Sequence, residues 1–315
     1  MSPSTDDTQA KTFKVFPEFS KLRFVDKGQY QAMLAGYPPI SDVSFVSAMS
    51  WWETVGDYAV SRLNGNLIIS YWFPGDDRFS GLSIFGTKNI DETVSYLLDH
   101  LGNTGEEKRL VHMPEFVVSS LHHPELFTFE QERAFDEYLY DVSDYYPLSH
   151  MPERRRKRVR KFLSQVDEKK VATRTLDLGT LENRQLLLDS MRLWGQKGVV
   201  NGIGSLSDKS LEVAVMHAEE FGLENLCLFV KGELCGFCLY YMPPDKRYAV
   251  VTYARINYDS PYMVDCFAYV VSKWFTELHV TYLNFEPDFG IPQLRAFKLS
   301  LGPCNYFRKY TVRPT

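Results

Sequence analysis

The order of helix and strand patterns in this sequence occurs twice. In each half, three strand patterns precede a helix, a further strand and a short helix. The repeated strands and long helix are predicted at 57–63, 67–73, 79–85 and 90–101 in the first half, and at 225–230, 234–241, 248–257 and 263–278 in the second. Such self-similarity indicates a tandem duplication, and coincidence between two unrelated α/β halves is the alternative. We expect a mixed α/β (α+β) fold with two similar domains.

The turns between the strands match as well. Asn64-Gly65 separates two strands of the first half, and Lys231-Gly232 separates the corresponding strands of the second. Glycine after a polar residue is typical of a tight hairpin turn. We expect domains at 1–150 and 168–315, with a linking segment at 151–167.

Composition restricts the class of protein. The net charge is −5 with 44% hydrophobic residues, which is typical of a globular chain and not of one that wraps nucleic acid over its whole surface. Five cysteines is an odd number and favours reduced thiols. The N-terminal residues show no secretory signal, and no run approaches the ~18 apolar residues of a membrane span. We predict a cytoplasmic protein without a transmembrane segment.

The linking segment carries the strongest charge run of the chain. Pro152 suits a first helical turn. One narrow apolar stripe on a helix is predicted from Val159, Phe162, Leu163 and Val166. Internal neutralisation by acidic residues is one interpretation of the run. Binding of a polyanion is the other: the phosphates of RNA, a CoA, or a phospholipid surface. The seven basic residues are Arg154, Arg155, Arg156, Lys157, Arg158, Arg160 and Lys161.

A second stretch combines carboxylates with cations near the C-terminus. A predicted strand carries Asn284, Glu286 and Asp288 towards its carboxyl end, and a short helix presents Arg295 and Lys298 on one face. Carboxylates hold an ammonium group, and cations stabilise a developing oxyanion, so the set suits an aminoacyl group. A salt-bridge cluster that locks the helix onto the sheet is the alternative.

Metal and nucleotide motifs are absent from the sequence. Cys235 and Cys238 lie three apart on a predicted strand, so their side chains point to opposite faces and do not form half of a zinc site. His112, His122 and His123 have no metalloprotease spacing and are interpreted as ordinary histidines. We predict no metal.

The terminal motif resembles a known family. Asn-x-Glu-x-Asp-x-Gly-Ile-Pro-x-Leu-Arg-x-x-Lys-x-Ser runs from Asn284 to Ser300, with Pro303 and Lys309-Tyr310 after it. It is similar to the signature of stand-alone proteins resembling the C-terminal domain of phosphatidylglycerol lysyltransferase. The resemblance implies two tandem acyltransferase-like (GNAT) domains joined by the basic helix, and it covers nearly the whole chain.

The resemblance also implies a reaction. Members with known activity move an amino acid from aminoacyl-tRNA to a lipid headgroup or another hydroxyl or amine acceptor. Arg295 and Lys298 would stabilise the oxyanion, Asn284, Glu286 and Asp288 would bind the donor, and the basic helix would lie near the tRNA. The chain departs from the family pattern at Phe285, Pro287 and Gln293. The resemblance therefore does not decide whether the acceptor is a lipid at a membrane surface.

Two alternatives remain at this level. One is an acetyl-CoA-dependent N-acetyltransferase, although the turn over 255–262 has no glycine and contains Pro261, and the first-half turn over 86–89 has a single glycine. The other is a non-catalytic RNA- or protein-binding module on the same fold. Donor, acceptor, turnover and oligomeric state are not decided by the sequence.

Overall fold

The computed structural model describes residues 12–75, 77, 80–166, 170–195, 203–257 and 262–315. The chain forms two compact units, each built from more than one segment. Unit 1 comprises Met1–Glu137, Pro287–Phe297 and Tyr306–Thr315. Unit 2 comprises Tyr138–Glu286 and Lys298–Asn305.

A seven-stranded sheet forms the centre of unit 1. Its strands are β1 (Ser20–Lys21), β2 (Asp57–Leu63), β3 (Asn66–Trp72), β4 (Gly81–Phe85), β5 (Leu110–Pro114), β6 (Phe127–Gln131) and β14 (Lys309–Pro314). Their order is β1-β2-β3-β4-β5-β14-β6. Strands β4 and β5 are parallel, paired at Leu82 and Leu110, while β2, β3 and β4 form an antiparallel meander. The parallel pair follows from the long helix that connects its two strands.

The helices of unit 1 cover that sheet. They are α1 (Lys27–Leu34), α2 (Glu53–Val55), α3 (Ile90–Thr104) and α4 (Glu115–Val118), with a π-helical turn at Ser47–Trp52 before α2. Apolar residues at helical spacing on α3, among them Val94 and Leu97, pack against Ile84 of the sheet. The helix ends at Gly105, whose φ of +81° permits the Glu106 N–H to bond the Leu101 carbonyl at 2.8 Å.

Unit 2 contains the second seven-stranded sheet. Its strands are β7 (Glu137–Asp141), β8 (Val171–Arg174), β9 (Glu224–Val230), β10 (Glu233–Tyr241), β11 (Tyr248–Ile256), β12 (Tyr282–Asn284) and β13 (Asn305–Phe307). The order is β13-β7-β12-β11-β10-β9-β8. Strands β9, β10 and β11 form an antiparallel meander, and β11 pairs with β12 in parallel.

The remaining helices follow in chain order. They are α5 (Glu153–Val166), α6 (Leu181–Gly195), α7 (Ile203–Met216), α8 (Ala218–Phe221), α9 (Met263–Glu277) and α10 (Pro292–Ser300). Helix α9 connects the parallel strands β11 and β12, as α3 connects β4 and β5. It buries Phe267, Val271 and Phe275.

The two sheets have the same topology, which confirms the predicted fold class of two GNAT-like halves. Each has a meander, a long helix, a parallel strand and then an antiparallel strand. That antiparallel strand is contributed from outside the local sequence: β14 pairs with β5 in the first sheet, and β7 pairs with β12 in the second. Because these strands bond to distant partners, each unit consists of several chain segments. The predicted boundaries near residues 150 and 168 divide the chain into contiguous halves, and they stay a prediction.

Some local predictions differ from the structure. The residues 22–26, whose sequence pattern predicts a strand, instead contain a 3₁₀ turn at Phe24–Asp26, where Arg23 and Asp26 form a bidentate ion pair. The short strands β6 and β8 have no counterpart among the predicted elements. The basic helix is confirmed and runs from Glu153 to Val166. Residues 258–261 of the turn considered for CoA lie outside the described residues.

Candidate functional site

The C-terminal motif begins at the end of β12. Asn284 is fully buried, and its Oδ1 accepts the backbone N–H of Glu286 at 2.8 Å. This short loop places Glu286 in the left-handed region, with φ of +58°. A non-glycine residue in that conformation requires support from its surroundings, and the Asn284 side chain provides it. Asn284 therefore shapes the backbone at the end of the strand.

Lys298 in α10 binds the same stretch of backbone in unit 2. Its Nζ donates to the carbonyl oxygens of Phe285 at 2.5 Å and Glu286 at 2.9 Å. It also lies 5.5 Å from the ring centre of Tyr138, and the residue is only 7% exposed. An ammonium held by dipoles and an aromatic face, away from bulk water, exerts a stronger field than an exposed lysine. The structure thus brings Asn284, Glu286 and Lys298 together.

Asp288 and Arg295 form a separate pair within unit 1. Arg295 donates from Nε and Nη2 to the two oxygens of Asp288, at 2.8 and 2.9 Å. Asp288 is completely buried and also accepts the Gly290 N–H at 2.8 Å. This bidentate geometry is expected of a salt bridge that fixes α10. The second interpretation of the motif, a salt-bridge cluster that locks the helix, therefore fits Asp288 and Arg295. A role in binding substrate stays a prediction for both.

The inner face of the basic helix α5 is neutralised within unit 2. Arg155 and Arg158 both reach Asp265, with N to O distances of 2.5 and 3.1 Å. Asp265 is buried in the first turn of α9, where the helix dipole also favours a negative charge. Val159 and Phe162 are buried on the predicted apolar stripe. On this face of α5, the basic charges are therefore neutralised by a carboxylate of the same unit.

The outer face of α5 remains exposed. Its basic residues are Arg154, Lys157, Arg160 and Lys161. At 100° per residue, these four lie within an arc of about 120°. Lys157 pairs with Glu153 at 2.6 Å, and Lys161 lies 5.3 Å from the ring centre of Tyr262. Arg156 is half-buried and donates to the Ser149 carbonyl. Binding of a polyanion stays a prediction and now concerns the outer face.

A buried ionic cluster in unit 1 was missed by the sequence analysis. Lys309 is completely buried, and its Nζ lies 2.7 Å from Asp42 and 2.7 Å from Glu137. Glu137 in turn accepts the backbone N–H of Ser41 with both oxygens. Burial alone lowers the pKa of a lysine, but the two carboxylates raise the pKa of Lys309 above its ordinary value. No local pattern links these residues, which lie on different elements.

The turn after β4 in unit 1 uses one of its backbone N–H groups internally. Asn66 accepts the backbone N–H of Lys88 at 2.9 Å and donates to the Lys88 carbonyl at 2.6 Å. Nucleotide-binding turns need such N–H groups to point at the ligand. This turn lines a cavity of about 520 Å³ with Gly86 and Tyr37, but its Lys88 N–H is already used.

Two of the cysteines lie on β10. Cys238 is buried and Cys235 is half-buried on β10, and burial raises the pKa of both thiols. Within the described ranges, no three His, Cys, Asp or Glu side chains are grouped as metal ligands would be. Among the described helices, none has the length and apolar character needed to cross a bilayer.

Comparison with known proteins finds matches among solved structures. No family model matches the chain, and no curated protein matches it. A conserved protein of unknown function from Bacteroides thetaiotaomicron superposes with a TM-score of 0.78 and 20% identity, over 94% of this chain and 99% of that one.

Two further structures carry informative names. The C-terminal domain (DUF2156) of a putative lysylphosphatidylglycerol synthetase from Agrobacterium fabrum has a TM-score of 0.61 at 11% identity, covering 93% of both chains. L-PGS from Bacillus licheniformis has a TM-score of 0.58 at 14% identity, covering 96% of this chain and 94% of that one. Identities this low establish the fold alone. The chain therefore has a tandem GNAT-like fold, similar to that of the C-terminal domain of a putative lysylphosphatidylglycerol synthetase.

Proposed function

We propose that this protein transfers an amino acid from aminoacyl-tRNA to a hydroxyl or amine acceptor. The observation that carries the proposal is the shielded ammonium of Lys298, held against the carbonyls of Phe285 and Glu286 at the end of β12. The name lysylphosphatidylglycerol synthetase, borne by a protein of the same fold, describes a product in which an amino acid is joined to a lipid. That likeness supports aminoacyl transfer and leaves the acceptor open.

The reaction places negative charge on an oxygen. The acceptor oxygen or nitrogen attacks the carbonyl carbon of the aminoacyl ester, and the carbonyl oxygen becomes an oxyanion. The bond to the ribose 3′-oxygen then breaks, and the acceptor's proton passes to that oxygen. Lys298 supplies a preorganised positive charge for the oxyanion, because its ammonium is already positioned by the backbone.

The other proposed roles follow from charge. Glu286 lies beside Lys298 and is assigned to the ammonium of the donor, with Asn284 holding the backbone of that loop. Arg295 is the second proposed oxyanion cation, but its charge is offset by Asp288 at 2.8 Å. We therefore expect Lys298 to contribute more to the rate than Arg295.

Binding of the tRNA is assigned to the outer face of α5. Arg154, Arg160 and Lys161 are exposed there and are not paired with the buried carboxylate of Asp265. Contacts with phosphates release counterions, so RNA affinity should fall steeply with salt concentration. Replacing outer residues should reduce that slope by roughly 0.7 to 0.9 per contact removed.

The test is a transfer assay with the full chain. The protein is incubated with a panel of aminoacyl-tRNAs labelled in the amino acid and, in parallel, with labelled acetyl-CoA. We expect loss of the aminoacyl ester to depend on Lys298, and Lys273→Ala, at an exposed lysine of α9, serves as the matched control. Loss of the acetyl group only would establish the N-acetyltransferase alternative. RNA binding without loss of either group would indicate a binding module.

A further inference from the structure

Two tyrosines of strand β7 contact Lys298 within unit 2. Tyr138 and Tyr140 are alternate residues of the strand, so their side chains leave it on the same face. Both are buried. The ring centre of Tyr138 lies 5.5 Å from Nζ of Lys298, and the hydroxyl of Tyr140 donates to the backbone carbonyl of Lys298 at 2.9 Å. One tyrosine therefore contacts the ammonium end of the lysine, and the other contacts its backbone.

Tyr140 also packs against the residue that receives the ammonium. Its ring meets the ring of Phe285 edge-on, with the ring centres 5.3 Å apart. The carbonyl of Phe285 accepts Nζ of Lys298, and its backbone N–H donates to the Tyr138 carbonyl at 3.0 Å. Edge-on aromatic pairs are more favourable than their buried area alone accounts for. Tyr140 thus holds both the backbone from which Lys298 extends and the residue that its ammonium reaches.

The last turn of α10 needs such support. The final carbonyls of a helix have no partner inside the helix, so their donors come from elsewhere in the fold. Besides Tyr140, the Tyr145 hydroxyl donates to the Leu301 carbonyl at 2.6 Å, and Arg155 donates to the Ser300 carbonyl. The bonds of Tyr140 and Tyr145 are both buried and chemically alike, but only that of Tyr140 is made to Lys298 itself. Tyr145 therefore provides a matched control.

The position of this ammonium decides what it can do. A long, flexible lysine side chain stabilises a developing oxyanion well only when it is held in place before the reaction. A displacement of about 1 Å in an active site can cost about 10²-fold in rate. A residue that holds the Lys298 backbone and its acceptor therefore affects the rate without touching the substrate.

We propose that Tyr140 is a positioning residue for Lys298, which keeps its ammonium against the carbonyls of Phe285 and Glu286 while the ring of Tyr138 confines it from the side. The kinetic consequence rests on the proposed aminoacyl transfer. The positioning itself is a property of unit 2 and can be measured without any reaction.

The first experiment measures kinetics of the full chain in the active transfer assay. Tyr140→Phe removes only the hydroxyl and keeps the ring against Phe285. We expect kcat to fall about tenfold, the size of one lost hydrogen bond, with KM for the aminoacyl-tRNA within about twofold of the parent, because Tyr140 does not bind the donor. Tyr145→Phe loses a comparable buried bond, so it should lower the unfolding midpoint similarly and keep kcat within about twofold.

The second experiment observes Lys298 directly by NMR. Lysine is labelled with ¹³C at Cε in the full chain, and the Lys298 signal is identified by its loss in Lys298→Arg. We expect Tyr140→Phe to move this signal towards those of exposed lysines such as Lys273, because the ammonium is displaced relative to the Tyr138 ring. Tyr145→Phe should leave the signal in place.

The two readouts separate this inference from the proposed function. If the parent protein transfers no amino acid but Tyr140→Phe alone moves the Lys298 signal, the positioning is supported and the proposed function fails. The inference is overturned if the signal is unchanged in Tyr140→Phe or if Tyr145→Phe moves it equally. It is also overturned if transfer occurs and Tyr140→Phe keeps the parent kcat or changes only KM.

Discussion

The buried cluster around Lys309 makes a quantitative prediction about stability. Its ammonium bonds Asp42 and Glu137 at 2.7 Å each, and the Lys309 and Glu137 side chains are 0% exposed. Lys309→Met keeps the length of the side chain and removes the charge, which leaves two carboxylates in a buried position. Breaking a buried ion pair by removing one partner costs about 3–5 kcal/mol. That is a large share of the ~5–15 kcal/mol by which a domain is stable.

The sign of the pH dependence is fixed by the same cluster. In the parent protein the raised pKa of Lys309 contributes stability below the ordinary lysine pKa, and this is lost as pH rises through the folded value. In Lys309→Met, the pKa of Asp42, which burial already raises, rises further because its counter-charge is gone. Since the folded variant then binds protons more tightly than the unfolded chain, its deficit should shrink as pH falls from 7 to 5.

The assay is urea unfolding followed by circular dichroism at both pH values. Lys108→Met is the matched control, because Lys108 pairs with Asp99 at 3.0 Å on the exposed surface, where such a pair is worth about 0–1 kcal/mol. Lys309→Met combined with Glu137→Gln should recover part of the loss. If Lys309→Met costs no more than Lys108→Met, or if its deficit grows towards pH 5, the reasoning about this cluster is refuted.

Three further predictions concern the site, helix α5 and helix α3. Lys298→Ala should lower turnover in the active transfer assay by about 10² to 10³ without unfolding the protein, and an unchanged rate in the folded variant would make the lysine structural. Arg155→Ala should destabilise unit 2 in thermal unfolding, because Asp265 is buried, whereas Arg160→Ala should leave the midpoint unchanged and weaken RNA binding. Burial opposes ionisation of Asp91, but hydrogen bonds from His122 and His123 lower its pKa from 3.8 to about 2. Asp91→Asn should therefore reduce stability at pH 7, with the difference from the parent vanishing as pH falls through that interval. A difference that persists below it would contradict this assignment.

The repeated secondary structure could be predicted from the sequence, because its signals are local. Richness in valine and tyrosine along 248–256 identifies a strand, and apolar residues at helical spacing identify α3 and α9 without knowledge of their partners. The glycine turns at Gly65 and Gly232 likewise depend on a few adjacent residues, and both have positive φ. Helix α5 was predictable for the same reason, down to the burial of Val159 and Phe162.

The pairing of charges was decided by tertiary structure. The sequence shows seven basic residues on α5, but only the fold places Asp265 beneath Arg155 and Arg158 and leaves the opposite face exposed. The motif near the C-terminus shows carboxylates beside cations, yet only the structure assigns Arg295 to Asp288 and Lys298 to backbone carbonyls. The sequence shows which residues are charged, whereas the partner of each charge depends on which elements pack together.

The exchanged strands and the buried ionic clusters are the features that the sequence predicts least. Strand β14 pairs with β5 about 200 residues earlier in the chain, and this pairing carries Lys309 to Asp42 and Thr311 to Glu132. Strand propensity predicts that 309–314 is extended, but it does not state which sheet receives the strand. The sequence by itself therefore determined the elements and their repeat. The tertiary structure decided the partners, because hydrogen bonds and ion pairs between distant strands have no local signature.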